Sequence, residues 1–295
     1  VMRYLILFCL IFWGCLTSAQ VYTVNSANDV DDGMCDGIHC SLREAINASE
    51  ADAGPSEINF NIPGAGVMAI NPTGPFPTVT KDDLTILGET QPGGPGSIQI
   101  DFNYRDFAGI GFWDILGKNF YLSGIDFTDF QFINLTDHIL QFGDLVNNSS
   151  NSRIYDCAFI QDAFINPEPP VKKLINILKA DNLSISNCIF GTDRSKFNLY
   201  NMNGYISIDG NQGSGAVTID SNIFVNKVKA IEFNGGQISI SKNLFGAVDT
   251  SKAANLLNPS NAIVGIFQDW PVNITDNFFF VFGNTAIGIL ANNSL

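Results

Sequence analysis

Two groups of side chains in this sequence could do chemistry, and they carry opposite charge. Near the start, Asn28, Asp29, Asp31, Asp32 and Asp36 crowd one glycine-containing loop between Asn25 and Gly37. Calcium takes several oxygen ligands and such a loop can supply them, although the full EF-hand spacing is missing. A solvated acidic turn is the plainer reading, and calcium at Asp29, Asp31, Asp32 and Asp36 the sharper one. Later, Arg194, Lys196, Lys227, Lys229 and Lys252 gather in an otherwise acidic chain, with Tyr200 among them. Cations beside an aromatic platform suit an anionic or neutral glycan; ordinary loop variation with solvated lysines is the alternative. Acid–base catalysis needs positioned, paired groups. The adjacent carboxylates Asp31-Asp32 fall in the acidic loop, and Asp82-Asp83 precede a strand. His138 stands alone beside an apolar run and reads as structural. Arg153 near Asp156 reads as an exposed ion pair. No catalytic residue is assigned.

These groups need a scaffold, and a repeat supplies it. Ala216-Val217-Thr218-Ile219-Asp220-Ser221-Asn222-Ile223-Phe224 is followed one unit later by Gln237-Ile238-Ser239-Ile240-Ser241-Lys242-Asn243-Leu244-Phe245. The phrase recurs at Leu183–Phe190 and Val272–Phe279, more weakly at Ile154–Phe159, and in degenerate form at Leu122–Phe127. The marker residues Phe127, Phe159, Phe190, Phe224, Phe245 and Phe279 stand 32, 31, 34, 21 and 34 residues apart. Repeats at such periods stack into a quasi-one-dimensional solenoid. The apolar positions alternate, which makes the phrase a strand. Its Val, Ile, Thr and Phe suit a pleated surface. A second alternating run follows in each unit, as at Tyr205–Ile208, Ala230–Phe233, Ala262–Ile266 and Ala286–Ile289. Asn, Gly and Asp punctuate the runs as turns require. A leucine-rich repeat would place a Leu where Ala180, Ser214, Gly235 and Asp269 stand, and would keep a steady period. The prediction is therefore an all-β, right-handed parallel β-helix with a short N-terminal capping helix.

In that fold equivalent residues of neighbouring coils lie about 4.8 Å apart. Phe should stack on Phe, and Asn222, Asn243 and Asn277 should form a column in a tight bend. Asn tolerates left-handed backbone there, and stacked amides can bond coil to coil. Cys157 and Cys188 share that column, as small buried thiols or as a disulfide pair. The 21-residue coil between Phe224 and Phe245 leaves almost no room for an excursion, whereas its neighbours carry long ones at Asp193–Asn203 and Asp249–Ser260. Two loops should then wall a notch holding the basic residues.

Of the 295 residues, 45% are apolar and 15% charged, enough for one long core. Arg3, the apolar run Tyr4–Leu16 and Thr17-Ser18-Ala19 before Gln20 read as a secretory signal cleaved after Ala19. Cys15 raises a lipoprotein alternative, but Phe12 stands where a small aliphatic residue belongs. The formal net charge of −14 argues against nucleic acid as a partner and suits an exported monomer. No later stretch reads as a membrane span. After a short strand at Val21–Val24, Ser41 and Glu44 stand at capping-box spacing, so a helix should start after Ser41 with Leu42, Ala45 and Ile46 on one face. That face would close the open first coil. Cys35 and Cys40 bracket a short loop in an exported chain, which predicts a disulfide. His39 is the only further soft ligand for a metal there.

Cys40-Ser41-Leu42-Arg43-Glu44-Ala45 resembles the CSLREA segment that opens many secreted bacterial β-helix proteins. Phe60–Gly66, Leu84–Gly93 and Phe190-Gly191-Thr192-Asp193 are similar to later segments of the same family, with Phe190 in place of an Ile. The resemblance covers residues 21–295, densely to about residue 101 and loosely beyond. It implies a pectin-lyase-like β-helix, secreted or on the bacterial cell surface, and no particular activity, because one fold hosts many functions. Enzymes of that fold use Asp clusters, or calcium with a Lys or Arg. The Gly-His-Gly and Arg-Ile-Lys motifs of polygalacturonases are absent here. The expected organisation is a signal at 1–19, a strand, acidic loop and capping helix at 20–50, and one β-helix over 51–295. The end just after a strand pattern, without a capping helix, reads as a truncated chain. The expected role is adhesion or binding of a polysaccharide or cell-surface glycan, without catalysis and with no cofactor beyond the calcium option. A polysaccharide lyase or glycoside hydrolase is the alternative.

Overall fold

Twenty-four strands, all paired in parallel, wind into three sheets among the described residues. The computed structural model describes residues 18–104, 111–130, 138–161, 172–195, 204–209, 215–225, 229–246, 261–267, 271–279 and 285–291. Most of the segment read as a leader lies outside them. The first sheet holds nine strands: Gln20–Val24, Ser56–Phe60, Leu84–Leu87, Tyr121–Ser123, Arg153–Tyr155, Leu183–Ser186, Val217–Asp220, Ile238–Ser241 and Val272–Thr275. The second holds eight, from Met68–Ile70 through Ile125–Thr128 and Ile223–Phe224 to Phe278–Phe279. The third holds seven: Trp113–Ile115, His138–Phe142, Lys172–Ile177, Gly204–Asp209, Ile231–Asn234, Asn261–Phe267 and Thr285–Ala291. From the coil that opens with Leu84–Leu87 onward each coil contributes one strand per sheet, and crossovers between parallel strands are right-handed for steric reasons. The chain is a right-handed parallel β-helix.

The repeat phrase spans the corner between the first and second sheets. Its phenylalanines form one interior file: Phe127, Phe159, Phe190, Phe224, Phe245 and Phe279 stack with ring centroids 4.6–5.0 Å apart and planes within 9°. The spacing is that of the coils, so parallel stacking follows from register rather than from an intrinsic preference of the rings. The asparagine column also forms. The Asn222 amide donates to Asn243 Oδ1 and the Asn243 amide to Asn277 Oδ1, each at 3.0 Å. Cys157 and Cys188 continue it as free, buried thiols. Cys188 N–H donates to Asn222 Oδ1 at 2.8 Å, so the column changes residue type without breaking the bonding.

One expectation is corrected. The left-handed residue of each bend precedes the column position: Asp156, Asn187, Ser221, Lys242 and Asp276 have φ between 50° and 59°. The column asparagines turn their amides inward to satisfy buried backbone. Asn222 Nδ2, for example, also reaches Ile185 O at 2.9 Å.

The helix α1 spans Leu42–Glu50, and Ser41 and Glu44 close the predicted capping box. Leu42, Ala45 and Ile46 are fully buried over the end of the first coil. Cys35 and Cys40 form the expected disulfide, with Cα atoms 4.2 Å apart. Among the described residues no helix is long and apolar enough to cross a membrane.

Candidate functional site

The third sheet turns apolar residues inward and a polar file outward. Its register aligns Asp114 with Gln141, Gln141 with Asn176, Asn176 with Ser207, and Ser207 with Glu232. The inward neighbours Ile206, Ile208, Ile231 and Phe233 are at most 1% exposed, which fixes the facing by alternation. A second outward file aligns His138, Lys173 and Tyr205. A bulge between Lys173 and Ile175 keeps Lys173 on the outer side while Asn176 returns to register. A third pair is Asp209 beside Asn234.

These side chains bond along the files. His138 Nε2 lies 2.8 Å from Asp114 Oδ1, and the Asn176 amide donates to Gln141 Oε1 at 2.8 Å. Lys229, just before Ile231–Asn234, pairs with Glu232 and sits 4.1 Å from the centroid of the Tyr205 ring. Burial raises the Tyr205 hydroxyl above its ordinary range, and the nearby Glu232 carboxylate, as charge and hydrogen-bond partner, adds to the rise. His138 Nδ1 and Asn176 Oδ1 are buried without a hydrogen-bond partner. A cavity of about 410 Å³ opens on this face, lined among others by Lys173, Ser207, Asp209, Glu232 and Asn234. The arrangement offers amides, hydroxyls, carboxylates and ammonium groups, spaced by the coil rise.

The residues singled out in the sequence fall in three places. Lys229 belongs to this face. Lys196, Tyr200, Lys227 and Lys252 lie outside the described residues, as does most of each loop proposed to wall a notch. Arg194 is used elsewhere. Its guanidinium lies 2.7 Å from Asp126 Oδ1 and 2.6 Å from Asp156 Oδ1, and also reaches the Asp156 carbonyl at 2.6 Å. It thereby staples three coils across the second sheet's outer side. Burial raises the Asp126 carboxyl above its usual range, and Arg194 offsets part of that rise. Gly96, at φ 80°, makes room, since a Cβ there would come within 2.4 Å of Arg194 Nε. A second cavity of about 320 Å³ beside this staple is lined by Asp156, Asn187, Arg194 and Ser221. Asp156 thus pairs with Arg194 rather than with Arg153. Arg153 lies over the Tyr155 and Tyr121 rings, at 4.6 and 5.7 Å.

The acidic loop divides its carboxylates. Asp29 accepts from Arg43 Nη2 at 2.7 Å and from the Thr73 amide and hydroxyl at 2.7 and 2.8 Å, which ties the loop to the helix and the next coil. Asp31 accepts from Gly33 N and Asn47 Nδ2. Asp36 accepts from the His39 and Ile38 amides, which hold its carboxyl below the usual range. Asp32 turns instead toward His39 and Glu44.

The sequence analysis singled out none of Asp114, Gln141, Asn176, Tyr205, Ser207, Asp209, Glu232 and Asn234 as candidate site residues; His138, read there as structural, is buried and paired with Asp114. One signal was present. The second run of several units keeps a polar residue between apolar neighbours, as Ser207 between Ile206 and Ile208 or Glu232 between Ile231 and Phe233.

No protein-family model matches the sequence, and no curated protein matches it. Among solved structures, the native GH136 lacto-N-biosidase from Eubacterium ramulus is 7% identical with a TM-score of 0.39, over 92% of this chain and 68% of its own. The alginate lyase from Paenibacillus sp. str. FPU-7 is 11% identical with a TM-score of 0.37, over 91% and 99% of the two chains. A tailspike protein mutant of E. coli bacteriophage HK620, in complex with pentasaccharide, is 13% identical with a TM-score of 0.37, over 90% and 66%. The fold assignment above rests on strand register and not on these likenesses.

Proposed function

We propose that the protein is an exported β-helix protein that holds a polysaccharide or cell-surface glycan along the outer face of its third sheet, without cleaving it. The observation that carries this reading is the polar file Gln141–Asn176–Ser207–Glu232, repeated coil by coil beside an open cavity. A sugar polymer repeats its hydroxyls along one axis, and a solenoid repeats its side chains along one axis. Amide, hydroxyl and carboxylate groups can take those hydroxyls in turn. The Glu232 carboxylate is ion-paired to Lys229, which suits binding better than proton transfer. The resemblance of Cys40–Ala45 to the opening of secreted bacterial β-helix proteins supports export, as does the Cys35–Cys40 disulfide.

A second reading, a polysaccharide lyase or glycoside hydrolase, is favoured by one feature. His138 pairs with Asp114 through Nε2 at 2.8 Å, the imidazole–carboxylate pairing that general bases use. One set of measurements tests both. Binding to a glycan array and to soluble polysaccharides should appear for the wild-type chain and weaken at least tenfold in Glu232→Ala and Ser207→Tyr. Unchanged binding in both variants overturns the site. New reducing ends or unsaturated products, formed with or without calcium and lost in His138→Gln, would replace the binding reading with the enzymatic one.

A further inference from the structure

The N-terminal cap brings together a set of donors that the glycan face does not use. His39 Nδ1 lies 2.9 Å from Glu44 Oε2 and 3.5 Å from Asp32 Oδ2, and one ligand atom of each residue falls within 4.8 Å of the others. His39 comes from the loop closed by the Cys35–Cys40 disulfide, Asp32 from the acidic loop just before it, and Glu44 from the first turn of α1. We propose that Asp32, His39 and Glu44 form a binding site for a divalent transition metal ion of the zinc type.

Four features carry this. First, the donors are already spaced for a small ion. Zinc bonds to imidazole nitrogen and carboxylate oxygen are about 2.0–2.2 Å, so neighbouring ligands of a tetrahedron stand about 3.4 Å apart. The separations of 2.9 and 3.5 Å bracket that edge.

Second, the tautomer is set for ligation. His39 Nε2 lies 3.0 Å from Asn28 Oδ1, which is itself held by the Val30 amide at 3.2 Å. An oxygen that accepts from Val30 calls for an N–H on Nε2, which leaves the Nδ1 lone pair facing the two carboxylates. Nδ1 is buried, and its polar neighbours are Glu44 Oε2 at 2.9 Å and Asp32 Oδ2 at 3.5 Å. A bare nitrogen held against two anions needs a cation between them, either a proton or a metal ion.

Third, the carboxylates are held from behind. The Ser41 amide donates to Glu44 Oε2 and the Asp32 amide to Oε1, each at 2.7 Å. The Met34 amide donates to Asp32 Oδ1 at 3.2 Å, which leaves Oδ2 toward the site. Outer partners of this kind orient metal ligands. The His39 backbone is fixed in turn by Asp36 Oδ1, at 3.0 Å from His39 N.

Fourth, the donor set separates this ion from calcium. Calcium asks for six to eight oxygens, whereas one imidazole with two carboxylates suits zinc. Asp29, the most buried carboxylate of the loop, is engaged by Arg43 and Thr73 and lies outside the cluster.

The chain has only two histidines, so assignment of a bound ion is direct. Zinc chloride is titrated into the chelator-treated full chain by calorimetry, with the histidine ring nitrogens followed by long-range nitrogen–proton spectra. The expected result is one zinc per chain, a shift of His39 Nδ1 with His138 unmoved, and affinity at least tenfold weaker in His39→Gln and in Asp32→Asn. Asp32 is half exposed on its side chain, so that second variant tests the site without disturbing the fold. His138→Gln should bind as the wild type does. No stoichiometric zinc binding, equal affinity for calcium, or loss in His138→Gln with retention in His39→Gln would each overturn the proposal.

Discussion

Arg194 shows how a residue type misleads when its neighbours are unknown. In the sequence it is one of several cations gathered in an acidic chain, which suggests a free ligand for an anionic or neutral glycan. In the fold it is committed to Asp126 and Asp156, carboxylates 68 and 38 positions earlier. Asp126 has a side chain 4% exposed, so losing its partner strands a buried charge. Breaking one member of such a pair costs about 3–5 kcal/mol, more than the pair contributes against an apolar replacement. Arg194→Ala is therefore expected to lower stability by about 3 kcal/mol in denaturant melts. Glycan binding at the third sheet should persist at temperatures where the variant stays folded. A melt unchanged from wild type would show that the ion pair is not a staple.

Within single elements, the helix α1 concentrates most of the local logic in one turn. Ser41 caps it, Glu44 returns the cap, and the same Glu44 carboxylate also takes the Asp32 amide. Burial pushes the Glu44 carboxyl up, but the Ser41 and Asp32 amides outweigh it and hold the group below its usual value of 4.5. A carboxyl whose folded value is depressed stabilises the fold above its unfolded value and loses that contribution as pH falls through the folded one. Asp36, Asp144 and Asp220 shift in the same direction. Melting temperature should thus hold level from neutral pH down to about 5 and fall below about 4.5, less steeply in Glu44→Gln. Ser41→Ala removes the cap bond and should cost about 1 kcal/mol at neutral pH. A flat pH profile in the wild type would show that the cap carboxylate carries no such linkage.

Taken as a whole, the molecule is a stack in which each coil touches mainly its two neighbours. In such a solenoid stability is close to a sum of unit and interface terms. The same substitution should then cost different amounts at different places in the file. Phe224 has rings on both sides and is 1% exposed, whereas Phe279 is only partly buried. Phe224→Ala should cost about 3–5 kcal/mol and Phe279→Ala clearly less, read from paired denaturant melts. Equal costs would contradict nearest-neighbour stacking. The proposed glycan face and the proposed metal site belong to different parts of this stack, the third sheet and the N-terminal cap. Loss of one is expected to leave the other intact.

Much of the architecture was legible because a solenoid writes its contacts into its repeat. Residues that touch sit one coil apart in sequence, so Phe224 over Phe245 and Asn222 over Asn243 follow from spacing alone. The capping box and the Cys35–Cys40 bridge were legible because they are local, five residues or fewer across. Which backbone position turns left-handed was not, since Ser221 and Lys242 carry no glycine-like signal. The polar face was also obscured, because Gln141, Asn176, Ser207 and Glu232 read singly as ordinary solvated side chains. By itself the sequence determined the period, the strand alternation and therefore the β-helix. Only the tertiary structure decided which polar residues share a face and which charges are already engaged, because the lateral register of coils, not the order of residues, sets those distances.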